Sequence, residues 1–285
     1  MLGSLKHNTR MYKPLIMIRL LFSLLLLALL AEISCGAVFI HLTDQHLDWE
    51  YHENTDPAVD WCHSNKKGDA GHFGSFKCHM PKVQLEASFS ELKRLFPEPE
   101  FILWTGDFRR GFPTVYGRQE VLDVLTNTTE LLSSYFPHTL VLPLFGNHDV
   151  DPNCWFDPQI APTWLYPAAA KLWSRWLPDS SLSQLSRGGF YSYWSGFKPS
   201  DWSVISLHSC LWMKGNTPTQ NITDPAGQFA WLEQELTAAQ TRGQKVYIAG
   251  HCNPTPKGMW PQHNQMLADV VRKYSTAIEA MFWGH

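Results

Sequence analysis

Apolar residues recur along this chain in two rhythms: short continuous runs that read as buried strands, and 3.6-residue spacings that read as helices packed against them. The runs predict strands at Ala37–Leu42, Phe101–Trp104, Leu140–Phe145, Lys245–Ala249 and Ile278–Trp283, with further strand-like stretches at Phe190–Trp194 and Trp202–His208. Lys82–Phe96 puts Leu85, Phe89, Leu92 and Phe96 on one helical face before Pro97 and Pro99 stop it, and Arg118–Phe136 turns Val121, Leu122, Leu125 and Leu132 inward. Further helices are expected over Lys171–Leu177, Gln228–Gln240 and Pro261–Tyr274, with Asp151–Pro167 a Pro- and Trp-rich loop. Alternating strands and helices, with no internal repeat or low-complexity linker, predict one α/β domain over residues 37–285, its sheet covered on both faces.

Polar residues cluster where the apolar runs end. Thr43-Asp44-Gln45-His46, Thr105-Gly106-Asp107, Gly146-Asn147-His148-Asp149, Gly250-His251 and Trp283-Gly284-His285 each follow a predicted strand. Each therefore sits at a strand's carboxyl end, where open α/β sheets bind ligands. Residues two apart on an extended segment project to the same side, so Asp44 and His46 suit one metal ion. Taken singly, Asp44 with His46 or Gly106 with Asp107 could be an ordinary surface turn; Gly146-Asn147-His148-Asp149 after an apolar run is the specific element. Imidazole and carboxylate ligands in this number suit zinc or a similar first-row ion.

The first 36 residues read as an address: Lys6, Arg10, Lys13 and Arg19, an apolar stretch from Leu20 to Ala31, then the small residues Ser34 and Gly36. Twelve apolar residues fall short of the roughly 20 that cross a bilayer, so a signal peptide over residues 1–36 and secretion are expected. Without that segment, whose only acidic residue is Glu32, the net charge moves from -3 to -6, with 19 basic and 25 acidic residues. That argues against a nucleic-acid polymer as partner.

Secretion implies an oxidising compartment, so Cys62, Cys78, Cys154, Cys210 and Cys252 are read first as disulfide candidates. Cys62 and Cys78 flank a Gly-, Lys- and His-rich loop with little to bury, and a bridge there would restrain a segment that cannot pack itself. The pairing of the other three stays open. Asn127-Thr128-Thr129 and Asn221-Ile222-Thr223 are glycosylation acceptors for the same compartment.

The ordered signatures resemble those of the calcineurin-like metallophosphoesterases: Asp-x-His, Gly-Asp, Gly-Asn-His-Asp/Glu, His and Gly-His-x-His. Stretches outside the candidate ligands, Gly188–Ser192 and Thr223–Leu232 among them, together with His41–Asp48, Phe101–Asp107, Leu144–Asp149 and Val246–His251, are similar to the acid sphingomyelinase-like phosphodiesterases from about Val38 onward. The resemblance implies a sandwich of two mixed β-sheets flanked by helices, and two zinc ions per chain. By the same resemblance Asp107 bridges the ions, Asp44 and His46 complete the first, and Asn147, His251 and His285 hold the second. A water activated by both ions would attack phosphorus, with His148 assisting the leaving oxygen. Expected partners are a small phosphodiester, such as a nucleotide derivative, or a sphingomyelin-like lipid headgroup, with room for peripheral membrane contact and for lysosomal or surface association. Arg110 stands where purple acid phosphatases carry a tyrosine ligand, which disfavours an iron-tyrosinate centre.

Three departures from the family pattern matter. Gly111 occupies the place of a histidine four residues after the bridging aspartate, preceded by Arg109 and Arg110, which are expected either to form a solvated turn or to fork a phosphate. The family's Gly-His-x-His would continue past His285, so the domain is expected to lack its C-terminal part. His208, Trp212 and Trp260 stand near the substrate position and could line a different pocket. An alternative function follows: a catalytically impaired relative that binds a lipid headgroup or a protein partner.

Overall fold

The computed structural model describes residues 38–111, 117–198 and 200–285. The signal-peptide expectation over residues 1–36 lies outside them. Two sheets carry the chemistry. The first joins β1 (Ile40–Leu42), β4 (Phe101–Trp104) and β5 (Leu140–Pro143), all parallel. The second is ordered β6 (Tyr191–Trp194), β7 (Trp202–Ser206), β8 (Lys245–Gly250) and β9 (Ile278–Trp283); β6 is antiparallel to β7, and β7, β8 and β9 are parallel. A short parallel pair, β2 (Leu47–Asp48) and β3 (Met80–Pro81), joins the segment after β4 through Leu47, which donates its N–H to the Phe108 carbonyl at 2.8 Å.

Aromatic side chains weld the two larger sheets together. Phe39 stacks on Phe101 at 4.7 Å and meets Phe282 edge-on at 5.3 Å, while Phe101 lies 4.6 Å from Trp202. Buried Tyr191 donates its hydroxyl to the Pro143 carbonyl at 2.9 Å, tying β6 to the end of β5. Helices α1 (Lys82–Leu95), α2 (Gly117–Tyr135), α5 (Gln228–Arg242) and α6 (Pro261–Lys273) agree with the expected spans to within two residues at each end.

Two helices differ from expectation, each for a local reason. The helix placed at Lys171–Leu177 instead runs as α3 (Leu165–Trp173), because Pro167 sits in its first turn, where a missing N–H costs nothing. Helix α4 (Asp179–Gly188) was not expected, since its Ser-rich sequence carries only Leu182 and Leu185 as an apolar face. It follows Pro178 and ends at Gly189, whose φ of 75° supplies the left-handed cap. Among the described residues no helix is long and apolar enough to cross a membrane.

Candidate metal centre

All parallel strands of a sheet point their carboxyl ends the same way, and the five polar signatures meet at those ends. Gly106 has φ of 88°, and a Cβ there would overlap the backbone of Gly146; one on Gly146 would overlap the nitrogen and Oδ1 of Asp107. Glycine at both positions lets the turns after β4 and β5 cross at backbone contact, which brings Asp107 and Asn147 together. Asp44, His46 and Asp107 adopt left-handed backbones, with φ of 56°, 46° and 57°. Such conformations cost energy and persist where the surroundings over-determine them, as at ligand-holding turns. Here the nitrogens of Asp44 and His46 donate to the Gly106 and Asp107 carbonyls at 3.0 and 2.9 Å.

Two imidazoles are aimed by backbone carbonyls. His251 donates Nδ1–H to the Thr105 carbonyl at 2.7 Å, and His46 donates Nδ1–H to the Arg109 carbonyl at 3.2 Å. Both Nε2 atoms therefore face inward, the arrangement that orients metal-binding histidines. Asp107 Oδ2 lies between them, 3.5 Å from His46 Nε2 and 3.1 Å from His251 Nε2. Asp44 Oδ1 is 3.7 Å from His46 Nε2, and Asn147 Oδ1 is 3.0 Å from His251 Nε2. Asp44, Asp107 and His251 form one group close enough to hold an ion, His46, Asp107 and His148 a second, and His251, Cys252 and His285 a third.

The donor set asks for a cation. With Nδ1 committed to a carbonyl, His251 turns Nε2 toward two oxygen acceptors, which only a proton or a metal ion can reconcile. Burial opposes a charged imidazole, but the hydrogen bond and charge of Asp107 outweigh it and push His251 up to about 10. Asp44 is likewise disfavoured as an anion by burial, yet hydrogen bonds from His46 and Thr43 hold its carboxyl well below the usual range. A divalent ion meets the same demand as the proton on His251, so the residues fit a metal centre.

His285 donates its backbone N–H to Asp44 Oδ2 at 2.9 Å, and its ring lies 5.2 Å from that of His251. His148 donates its backbone N–H to Asp107 Oδ1 at 2.8 Å, with its ring 5.1 Å from His46. Burial lowers its pKa against the pull of Asp107. The structure thus brings Asp44, His46, Asp107, Asn147, His148, His251 and His285 into one cluster. Exposed Asn127 lies on α2 and exposed Asn221 in a turn.

Asp149 organises the turns around this cluster. Its two oxygens accept the backbone N–H groups of Asp107, Phe108 and Gly146 at 2.7–2.8 Å, and of Arg109 at 3.4 Å. Burial and the Asp107 charge push its carboxyl up to about 7, against donors that favour the anion.

The expectation for Arg109 and Arg110 is corrected. They are 1% and 3% exposed, so they form neither a solvated turn nor a phosphate fork. Arg110 binds buried Asp48 at 2.5 Å and Glu50 at 2.7 Å, and Asp48 also receives His63 at 2.6 Å. Arg109 reaches the His148 carbonyl at 2.9 Å and Asn153 at 2.6 Å. Asp48, inside a stretch that carries the family resemblance, was the available signal for this network. Of His208, Trp212 and Trp260, suggested as lining a pocket, His208 and Trp212 line none, and half-buried Trp260 donates its Nε1–H to the Asn216 carbonyl at 3.4 Å. The first two are wholly buried, Trp212 stacked 4.4 Å over Phe229 and His208 enclosed by Phe145, Phe156 and Tyr166.

Cys62 and Cys78 form a disulfide. Cys154, Cys210 and Cys252 are thiols, with the Cys210 and Cys252 sulfurs 3.5 Å apart. Gly111, where the resemblance implies a histidine, lies under His148: a Cβ there would stand 2.7 Å from His148 Cε1.

Comparison with known proteins matches residues 37–285 to the calcineurin-like phosphoesterase family. The chain is 36% identical over 261 residues to the cyclic GMP-AMP phosphodiesterase SMPDL3A of Homo sapiens, covering 87% of this chain and 56% of that protein. It is 34% identical over 257 residues to the acid sphingomyelinase-like phosphodiesterase 3b of Homo sapiens, with 87% and 56% covered. Against the sphingomyelin phosphodiesterase of Homo sapiens it is 35% identical over 267 residues, with 86% and 41% covered. The chain spans little more than half the length of the first two relatives.

Proposed function

The chain belongs to the calcineurin-like phosphoesterase family, and on that footing we propose that it is a secreted, zinc-dependent phosphodiesterase. Its substrates would be sphingomyelin-like lipids or nucleotide derivatives, which share the phosphodiester that the relatives' names specify. One observation carries the reading: Asp107 Oδ2 stands between two imidazole nitrogens that backbone carbonyls have aimed at it.

Two zinc ions held there would supply a nucleophilic water at neutral pH and neutralise phosphoryl oxygens. Asp44 and His46 would hold one, Asn147, His251 and His285 the other, with Asp107 shared. His148, anchored through its backbone to Asp107 and with its ring beside that of His46, would meet a phosphoryl or leaving-group oxygen. The Cys62–Cys78 disulfide and the two exposed glycosylation acceptors, Asn127 and Asn221, support the secretory part of the proposal.

Elemental analysis of the purified glycosylated chain tests this, together with turnover of a chromogenic phosphodiester. About two zinc ions per chain are expected, with metal and turnover both lost in Asn147→Ala. Unaltered turnover in that variant would refute the two-metal mechanism. Fewer than two ions and no turnover in the parent chain would favour the non-catalytic binding role, which Gly111 already makes worth testing.

A further inference from the structure

The disulfide loop contributes more than restraint. Trp61 immediately precedes Cys62 and His79 immediately follows Cys78, so the bond that joins the cysteines sets these two rings side by side, 5.7 Å apart and 23° from parallel. Asp60, Trp61 and Cys62 all adopt left-handed backbones, with φ of 48°, 53° and 70°. Such a run is costly and needs its surroundings to hold it. The His79 ring lies 5.7 Å from that of His46, so this wall begins at the metal centre.

In front of it opens a cavity of about 410 Å³, lined among others by Asp44, His46, Phe73, Phe76, His79 and Gln84. That volume falls in the range of small-molecule sites. Phe76 is fully exposed (112%) and Phe73 is 59% exposed, an arrangement that leaves two apolar rings in water at the mouth of a polar cluster.

We propose that this cavity binds the flat organic half of a phosphodiester, a nucleobase or equivalent aromatic ring, between Phe73 and Phe76 and the ring of His79, which the disulfide holds against Trp61. The proposal rests on the phosphodiesterase reading and deepens it. Base–aromatic stacking accepts any planar ring, and the Gln84 amide and Ser75 hydroxyl, which also line the cavity, both donate and accept as a base edge requires. A quaternary ammonium also docks on aromatic rings, but it has no hydrogen-bond donor or acceptor and would leave the Gln84 amide and Ser75 hydroxyl unused.

The test is calorimetric titration of the zinc-loaded full chain with inorganic phosphate, adenosine, adenosine 5′-monophosphate and phosphocholine, in the parent, in Phe73→Ala/Phe76→Ala and in His79→Ala. Both phenylalanines are exposed, so their removal leaves the core intact, and circular dichroism verifies folding. Adenosine 5′-monophosphate should bind more tightly than phosphocholine and weaken roughly 5- to 150-fold in each variant, while inorganic phosphate is unchanged in the double variant. Unchanged nucleotide affinity in both variants overturns the subsite. So does tighter phosphocholine binding that the variants abolish, which would mark a cation cage. Loss of association with sphingomyelin vesicles in the double variant, with nucleotide affinity intact, would overturn it in favour of a membrane contact. Failure of inorganic phosphate to bind would count against the phosphodiesterase reading alone, because adenosine still reports on the subsite.

Discussion

Replacing Asp149 with alanine should destabilise the whole strand-end cluster, although Asp149 is not a candidate metal ligand. Its carboxylate satisfies three short N–H bonds, from Asp107, Phe108 and Gly146, and a longer one from Arg109. All lie in the interior, and each stranded buried donor costs about 1–3 kcal/mol. Three strong bonds give roughly 3–9 kcal/mol, and water entering the vacated space recovers part, so the lower end, about 3 kcal/mol, is the expected loss. For a domain of this size that corresponds to a fall in Tm of about 6–12 °C. Urea unfolding of the metal-free chain at pH 8, above the value of about 7 to which the Asp149 carboxyl is pushed, measures it directly. Zinc stoichiometry should fall as well, because Asp107 and the Gly146-Asn147 turn are positioned through the same carboxylate. A loss below about 1 kcal/mol, with zinc retained, would refute the view that Asp149 holds the two turns together.

Arg110→Ala should cost about 3–5 kcal/mol by leaving Asp48 buried without its cation; a raised KM for diesters without loss of stability would show instead that Arg110 touches substrate. Gly111→Ala should displace His148 and lower kcat about 10²- to 10⁴-fold with zinc content unchanged, and Gly111→His should do no better, because the His148 ring fills the space the new side chain needs; unchanged kcat in Gly111→Ala would remove His148 from the reaction. His251 has a folded-state pKa raised from 6.5 to about 10. Its contribution is therefore fully present below pH 6.5 and lost as pH rises toward 10. Metal-free protein should lose Tm across that window, and an equal slope in His251→Gln would contradict the assignment.

Strand positions and ligand types were legible in the sequence because both are local. Short apolar runs ending in Asp, Asn or His identify strands and what stands at their ends, and Phe101–Trp104 and Ile278–Trp283 fall where the pattern puts them. The ends of helices were less legible: Pro167 reads as a breaker in sequence but is harmless in a first turn. What no local pattern contains is which distant groups become neighbours. Arg109 and Arg110 look like a surface turn until Asp48, Glu50, Glu120 and Asn153 close over them. His208 reads as a candidate pocket residue until three aromatic rings enclose it. Gly111 reads as a missing histidine until His148 is seen lying across it. Residue chemistry by itself determined that this chain carries a set of candidate metal ligands in family order. The tertiary fold alone decided which charges were buried as structure and which aromatic rings were left facing a cavity, because burial depends on long-range packing that sequence spacing does not encode.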